Sequence, residues 1–229
     1  MKEEGKKGEK EENEYKQKYT HPERLMKQLF NDQQWVYDNV MAGDFMLRLF
    51  NVAMNMQSHD TDIELMSLFT DDELYDQWRI CNIRWYLDYG ASTVSGEKMP
   101  FSQRNLLKNI IETADTVTQT QATLRFGHEV CVMPLACLLE LDNTNVAVEN
   151  LDELDTYWRN YRIFPMGCNI QLVFYRPVKG KPGDILVKAL LNERETYMPA
   201  QTDNWPYYKW QDLRQYYLDK LEKFEKAGK

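Results

Sequence analysis

The spacing of apolar residues changes along the chain, and this change limits the folds that are open to it. From residue 20 to residue 116, apolar side chains recur at three- and four-residue intervals, as in amphipathic helices. Further on, the segment 169–176 (NIQLVFYR) alternates Ile170, Leu172 and Phe174 with Gln171, Val173 and Tyr175, and the turn sequence PVKGKPGD follows it. The apolar segment 185–193 (ILVKALLNE) reads as the returning strand, so the two segments predict an antiparallel hairpin. The sequence therefore predicts an α/β protein.

Three Thr-x-x-Glu sequences predict helix N-termini in the first half of the chain. In such a capping box, the threonine hydroxyl and the glutamate carboxylate each accept a hydrogen bond from the other residue's backbone amide. The boxes begin at Thr20, Thr61 and Thr70. Apolar periodicity predicts further helices over about 102–116, 130–141 and 212–226.

Composition divides the chain into three parts. Residues 1–19 are rich in lysine and glutamate and nearly free of apolar side chains, so we expect a solvated, disordered lead-in. Residues 20–118 are predicted to form an all-helical domain, and residues 119–229 to hold the α/β part. The segment 90–100 (GASTVSGEKMP) is predicted to be a loop.

Charge and composition exclude several classes of function. The net charge of −8 argues against nucleic-acid binding, and an anionic substrate would need a local cationic pocket. No apolar run is long enough to span a membrane. No secretory leader is visible, so the chain as written would be cytoplasmic. The four cysteines form no C-x-x-C pair, which argues against a zinc ribbon or a redox motif, and we expect Cys131 and Cys137 to be buried as small hydrophobic residues.

The sequence TLRFGHEV, within residues 123–130, reads as a junction between a short buried strand (122–126) and a helix. Ligands bind at the carboxyl ends of strands in many α/β sheets, and helix N-termini favour phosphate. There His128 could donate a hydrogen bond to a phosphoryl oxygen, and Glu129 could protonate a leaving alkoxide. The tripeptide alone is also compatible with a structural histidine followed by a capping carboxylate.

Several segments in the same order resemble the histidine acid phosphatase superfamily, and most closely its multiple inositol polyphosphate phosphatases of the gut-bacterial type. They are HPERLMKQLF, NMQSHDTDIELMSLF, WYLDYG, LRFGHE with the apolar helix after it, NIQLVFYR and ILVKALLNERE, spread over residues 19–220. The resemblance implies part of a three-layer histidine-phosphatase core with a large helical cap domain. It also implies hydrolysis of inositol polyphosphates, including phytate, through a phosphohistidine intermediate and without a metal or other cofactor. Members of this family are usually periplasmic, outer-membrane-associated or secreted.

The resemblance also assigns roles to individual residues. His128 matches the second active-site histidine, which contacts the phosphoryl group, and Glu129 matches the proton donor, although the family usually has aspartate or Ala-Glu after this histidine. Lys98, Arg104 and Arg125 are candidates for binding the substrate's phosphates. Lys98 and Arg104 could equally be ordinary solvated charges, and Arg125 could pair with a buried carboxylate.

The family's nucleophile lies in an Arg-His-Gly-x-Arg motif, which is absent from these 229 residues. The other histidines, His21 and His59, lack the flanking arginine and glycine. The resemblance therefore implies that the chain corresponds to the C-terminal part of such a protein and is inactive alone. We expect it to self-associate or to be completed by a separate N-terminal chain. The alternative is a pseudo-phosphatase domain that binds anions or a partner chain.

Two other features have competing interpretations. The sequence QSHDTDIE (57–64) could hold a metal, but the capping box already accounts for Thr61 and Glu64. The aromatic sequence WPYYKW (205–210) could bind carbohydrate, but we expect it to pack in the core.

Overall fold

The computed structural model describes residues 2–116, 122–179 and 181–227. The α-helices in these residues are α1 (Lys2–Tyr19), α2 (Glu23–Leu29), α3 (Gln33–Asn39), α4 (Ala42–Asn55), α5 (Asp71–Tyr89), α6 (Arg104–Thr116), α7 (Glu129–Leu139), α8 (Leu154–Tyr157), α9 (Asn160–Ile163) and α10 (Trp210–Ala227). The strands are β1 (Ile170–Tyr175), β2 (Leu186–Leu191), β3 (Arg194–Thr196) and β4 (Tyr208–Lys209). The predicted α/β class is confirmed.

The predicted hairpin is also confirmed, because β1 and β2 pair antiparallel with Ile170 opposite Leu191. Both β3 and β4 pair with β2, so the small sheet is antiparallel throughout. Alternate residues of β2, namely Val187, Ala189 and Leu191, are buried. Burial therefore has a period of two in β2, although its apolar residues do not alternate with polar ones in the sequence.

The β2–β3 turn holds the N-terminal end of β1 in place. Asn192 and Glu193 both have positive φ, 52° and 66°, as a two-residue hairpin turn requires. The Asn192 side chain donates to the carbonyl oxygen of Ile163 at 3.1 Å and accepts from the backbone amide of Asn169 at 3.1 Å. The turn is thereby tied to the loop that leads into β1.

The chain divides into two compact units, and the boundary falls within α5. Residues Lys6–Arg84 form the first unit, whose described part contains helices and turns but no strand. Its buried core comprises Leu25, Met26, Val36, Met46, Phe50, Ala53 and Phe69. The second unit comprises the residues before Lys6 and those from Trp85 onward, and it contains the sheet, α7 and α10. The predicted domain boundary, between residues 118 and 119, lies outside the described residues.

The N-terminal segment differs from its prediction, because α1 occupies most of the expected disordered lead-in. Tyr19, at the end of α1, is buried, and the Arg79 guanidinium lies 4.2 Å from the centre of its ring. The Lys16 ammonium donates to the Asp44 carboxylate at 2.6 Å. The composition of the segment suggested too little apolar area for folding, whereas the helix is anchored through its last turn by partners on α4 and α5.

One of the three predicted capping boxes forms as a helix start. The Thr70 amide donates to Glu73 Oε2 at 2.9 Å, and the Glu73 amide donates to Thr70 Oγ1 at 3.2 Å, just before α5. At Thr20 the box does not form: α2 begins nearby, at Glu23, but its N-cap residue is Pro22, and the Thr20 hydroxyl donates to the Lys16 carbonyl of α1. The box at Thr61 is wrong as a helix start, because Thr61 accepts from the Ile63 amide in an exposed loop and the next α-helix begins only at Asp71.

The functioning box is reinforced by an ion pair. The Arg24 guanidinium donates to both carboxylate oxygens of Glu73. Burial of this carboxyl favours a higher pKa, but the hydrogen bonds from Arg24 and from the Thr70 amide outweigh burial and hold the pKa of Glu73 below its usual range. The box that begins at Thr61 has no comparable ion pair among the described residues. The Thr-x-x-Glu spacing alone therefore could not distinguish it from the box at Thr70.

The three later helices agree with their predictions to within a few residues at each end. Residues 99–103 form a 3₁₀ turn before α6, and this accounts for the shift of its start to Arg104. Within the described ranges, no helix is both long enough and apolar enough to cross a membrane.

The capping boxes yield a direct stability test. We expect Thr70→Ala to lower the free energy of unfolding by about 1 kcal/mol, because it removes the acceptor for the Glu73 amide. The matched change Thr61→Ala should stay within about 0.5 kcal/mol of the parent protein. Urea unfolding followed by far-ultraviolet circular dichroism measures both values. Equal destabilisation by the two variants would contradict the assignment.

Candidate active site

Helix α7 begins directly after His128, which is its N-cap residue with φ −92° and ψ 166°. The amides of Cys131 and Val132 both donate to the His128 carbonyl, at 2.9 and 3.3 Å. The amides of Glu129 and Val130 precede the first hydrogen-bonded turn and have no acceptor among the described residues. Such open amides carry a partial positive charge. The start of α7 therefore presents hydrogen-bond donors.

The opposite end of α7 is tightly held by α10. The Tyr217 hydroxyl donates to the Leu139 carbonyl at 3.0 Å, and the Lys220 ammonium donates to the Leu138 carbonyl at 2.8 Å. Lys220 also pairs with the carboxylate of Glu140, the residue that ends the helix in a left-handed conformation. A cation at a helix C-terminus is favourable, and the last carbonyls of α7 gain partners that water would otherwise supply.

The body of α7 is buried from Met133 to Leu139. The Cys137 thiol lies in this stretch and donates to the Thr144 carbonyl at 3.1 Å. Burial raises the pKa of Cys137 to about 12, so the sulfur stays a protonated thiol at neutral pH. Cys137 thus behaves as the predicted buried hydrophobic residue, whereas Cys131, nearer the open end, is only half-buried.

The side chains of His128 and Glu129 are both exposed. In the part of the chain that the structure describes, neither side chain makes a hydrogen bond or an ion pair, and His128 does not cap the helix with its ring. The interpretation of His128 and Glu129 as a structural histidine with a capping carboxylate therefore has no supporting contact. Both groups are available to a ligand at the start of α7.

The segment before His128 is not the predicted buried strand. Residues 122–127 are exposed and belong to no strand, and their backbone makes no hydrogen bond to the described residues. The side chains of Leu124 and Phe126 are 74% and 92% exposed. The prediction relied on apolar content, but a strand also needs a neighbouring strand, and the described part of the chain supplies none here.

Arg125 ties this exposed segment to α6. Its Nη2 group donates to Asn109 Oδ1 at 2.9 Å and to Thr113 Oγ1 at 2.8 Å. Both acceptors are uncharged, so the predicted alternative of a pair with a buried carboxylate is not observed. The guanidinium keeps a positive charge that no described carboxylate neutralises, three residues before His128.

Cys168 is a neighbour of the site that sequence analysis missed. Burial raises the pKa of its thiol, and the negative charge of the Glu129 carboxylate raises it further. The turn before β1 thus lies close enough to α7 for the Cys168 thiol to respond to the charge of Glu129. No spacing rule connects the two residues, because they are distant in sequence.

The other two predicted cations flank the 3₁₀ turn Met99–Gln103, which packs against α7. Lys98 precedes the turn and is exposed, whereas Arg104 follows it, is half-buried and donates to the Phe101 carbonyl at 3.2 Å. Phe101 stacks on Phe224 of α10, with the ring centres 4.0 Å apart. The structure thus brings the turn to α7, but it gives no contact of Arg104 with His128 or Glu129.

The sequence QSHDTDIE forms no metal centre. His59 Nε2 lies 3.3 Å from Asn55 Nδ2 in an exposed turn. Across the described ranges, no cluster of three or more His, Cys, Asp or Glu side chains is placed to hold a metal ion.

No protein-family model matches the sequence, and no curated protein matches it. Solved structures do match the fold. One is the crystal structure of the Bifidobacterium longum multiple inositol polyphosphate phosphatase in complex with inositol hexasulfate, with a TM-score of 0.61 and 22% sequence identity. Another is the same enzyme in complex with phosphate, with a TM-score of 0.62 and 22% identity. This chain has a fold related to that of these phosphatases.

The likeness covers most of this chain but less than half of the neighbours. It extends over 76% and 77% of the present chain and over 37% and 40% of the two matched chains. The chain thus spans about two fifths of the length of the phosphatases that it resembles. The expected relation to this family is supported at the level of fold, and the roles of individual residues remain predictions.

Arg125 is expected to hold residues 122–127 against α6. Arg125→Met keeps the length of the side chain but removes both hydrogen bonds, so the segment should be cleaved faster under limited proteolysis. Arg194→Met, at an exposed arginine of β3, is the matched control and should leave the cleavage rate unchanged. Mass spectrometry of the digest measures the effect, and an unchanged rate in Arg125→Met would contradict it.

Proposed function

We propose that this chain forms the phosphate-binding and proton-donating part of a phosphomonoesterase site of the histidine acid phosphatase type, acting on inositol polyphosphates. The observation that carries the proposal is the exposed pair His128 and Glu129 at the open N-terminus of α7. The relation of the fold to inositol polyphosphate phosphatases adds a second, independent support.

A phosphate group fits the start of α7 for electrostatic reasons. The open amides of Glu129 and Val130 would donate to one phosphoryl oxygen, and the His128 ring would donate to another. The uncompensated charge of Arg125 adds a favourable field. These local donors oppose the repulsion expected from a chain with a net charge of −8.

The proposed reaction proceeds by two displacements at phosphorus. A nucleophilic histidine attacks the phosphorus atom, the bond to the inositol oxygen breaks, and protonated Glu129 donates its proton to the leaving alkoxide. Water then attacks the phosphohistidine, its proton passes to the Glu129 carboxylate, and inorganic phosphate leaves. His128 stabilises the charge on the transferring phosphoryl oxygens in both steps.

The substrate class follows from the neighbours and from the cations near α7. The related phosphatase was crystallised with phosphate and with inositol hexasulfate, a ring that carries six anionic groups. We propose that Lys98 and Arg104, beside the turn that packs on α7, contact peripheral phosphates of such a substrate. We extend the proposal to phytate, the fully phosphorylated inositol.

We propose that a separate N-terminal segment or chain supplies the nucleophile, because Arg-His-Gly-x-Arg does not occur in this sequence and the matched phosphatases are longer. The same missing motif favours a second candidate, in which the chain is a non-catalytic domain that binds phosphate esters or a partner chain.

Ligand binding and turnover together test the first proposal. The chain should bind inositol hexakisphosphate. His128→Ala should weaken the affinity about tenfold through the lost donor, whereas Glu129→Gln should not weaken it, because the substitution removes a negative charge. Phosphate release by the chain should not exceed that of buffer. Isothermal titration calorimetry and a phosphate assay are the measurements.

His59→Ala is the matched control, because His59 is an exposed histidine in the other compact unit. It should bind as the parent chain does. Equal weakening of the affinity by His59→Ala and His128→Ala would contradict the placement of the binding site at α7. Phosphate release that Glu129→Gln abolishes would show that the chain contains its own nucleophile.

The exposed segment 122–127 predicts association. An extended segment with unpaired backbone groups and exposed apolar side chains pairs readily with another strand. We expect the chain to self-associate at low micromolar concentration, and Phe126→Lys should shift the equilibrium towards monomer. Sedimentation velocity measures this, with Met166→Lys as the control at a similarly exposed apolar side chain. A monomeric parent chain with a cooperative, high-melting transition would contradict the prediction.

A further inference from the structure

A second concave site lies in the loop between β3 and β4, and it has no part in the proposed phosphatase chemistry. The cavity has a volume of about 320 Å³, within the range of small-molecule sites. Aromatic side chains form one wall, contributed by Tyr197, Trp205 and Tyr208. All of its lining residues belong to the unit that begins at Trp85.

Two of these aromatic rings form a platform that faces solvent. The rings of Tyr197 and Trp205 are stacked, with centres 5.1 Å apart and an angle of 27° between their planes. Tyr197 is 60% exposed and Trp205 is 44% exposed, so the pair leaves aromatic surface open at the cavity. The expected packing role holds for Tyr208 and Trp210, which are buried, but not for Trp205.

The platform is held rigidly by hydrogen bonds around the loop. The Tyr197 amide donates to Asp142 Oδ1 at 2.9 Å, and the Asp142 amide donates to the Tyr197 carbonyl at 3.1 Å. Thr202 Oγ1 donates to the Tyr207 carbonyl at 2.5 Å and accepts from the Asn204 amide at 3.1 Å. A wall fixed before binding loses little conformational entropy when a ligand arrives.

The polar groups at the cavity determine which ligands fit. Gln201 and Asp203 line it, are exposed and make no side-chain hydrogen bond to the described residues. None of the lining residues is a lysine, arginine or histidine, so the site does not favour phosphate or another anion. Aromatic cages for cations enclose the charge between several ring faces, whereas here two rings stack on one another and present a single surface.

We propose that this cavity binds a neutral saccharide ring. The apolar C–H face of the sugar would lie on the outward face of one ring of the stacked Tyr197–Trp205 pair, and its hydroxyl groups would hydrogen-bond to the Gln201 amide and the Asp203 carboxylate. An aromatic surface matches the apolar face of a pyranose, and the amide and carboxylate match its hydroxyls. This site would operate whether or not the start of α7 binds phosphate.

Tryptophan fluorescence and calorimetry with maltotriose and cellotriose test the proposal on the full chain. At least one of the two should bind saturably, with a Kd of about 1 mM, and should change the emission of the exposed indole. Trp205→Ala and Tyr197→Ala should each weaken binding at least about tenfold, whereas Trp205→Phe should retain most of it. Trp35→Ala, at an indole that is 50% exposed in the other unit, is the matched control and should bind normally.

Asp203→Ala provides a check that does not depend on the aromatic wall, because its side chain is exposed and outside any described hydrogen bond. It should weaken binding while circular dichroism stays unchanged. The proposal is overturned if neither oligosaccharide binds, if Trp205→Ala binds as tightly as the parent chain, or if tetramethylammonium binds at this site and the sugars do not. Loss of phosphate binding in His128→Ala would not affect these results.

Discussion

The structure depends on a difference between the two ends of α7, because the C-terminal end is hydrogen-bonded to α10 and, among the described residues, the N-terminal end is not. At the C-terminal end, Tyr217 and Lys220 satisfy the last carbonyls, and the middle of the helix is buried. At the N-terminal end, the first amides have no described acceptor and the adjoining His128 and Glu129 are exposed. A helix fixed at one end and open at the other holds its donors in place without a ligand.

Elements from other parts of the chain surround α7. The 3₁₀ turn at 99–103 packs on the helix and carries Lys98 and Arg104 at its two ends. The β2–β3 turn is tied to Asn169, next to Cys168, whose thiol responds to the charge of Glu129. Elements distant in sequence thus lie around α7. The aromatic cavity is connected to the far end of the same helix through the paired contacts of Asp142 and Tyr197.

Much of the architecture could be predicted from local patterns. The turn sequence PVKGKPGD between two strand-like segments predicted the hairpin, and the Thr70–Glu73 box predicted the start of α5, because in both cases the deciding residues are neighbours in sequence. The prediction failed where the outcome depends on distant partners. Tyr19 and Arg79 anchor a segment whose composition suggested disorder, and residues 122–127 have no neighbouring strand in the described part of the chain, which their apolar content could not reveal.

The central proposal is that a phosphoryl group binds at the start of α7. Titration of the isotopically labelled chain with inorganic phosphate, followed by amide nuclear magnetic resonance, tests this most directly. The predicted result is a saturable shift that is largest for the amides of His128, Glu129 and Val130 and that needs about tenfold more phosphate in His128→Ala. Shifts confined to lysine-rich surface segments, with the amides at the start of α7 unmoved, would contradict the account.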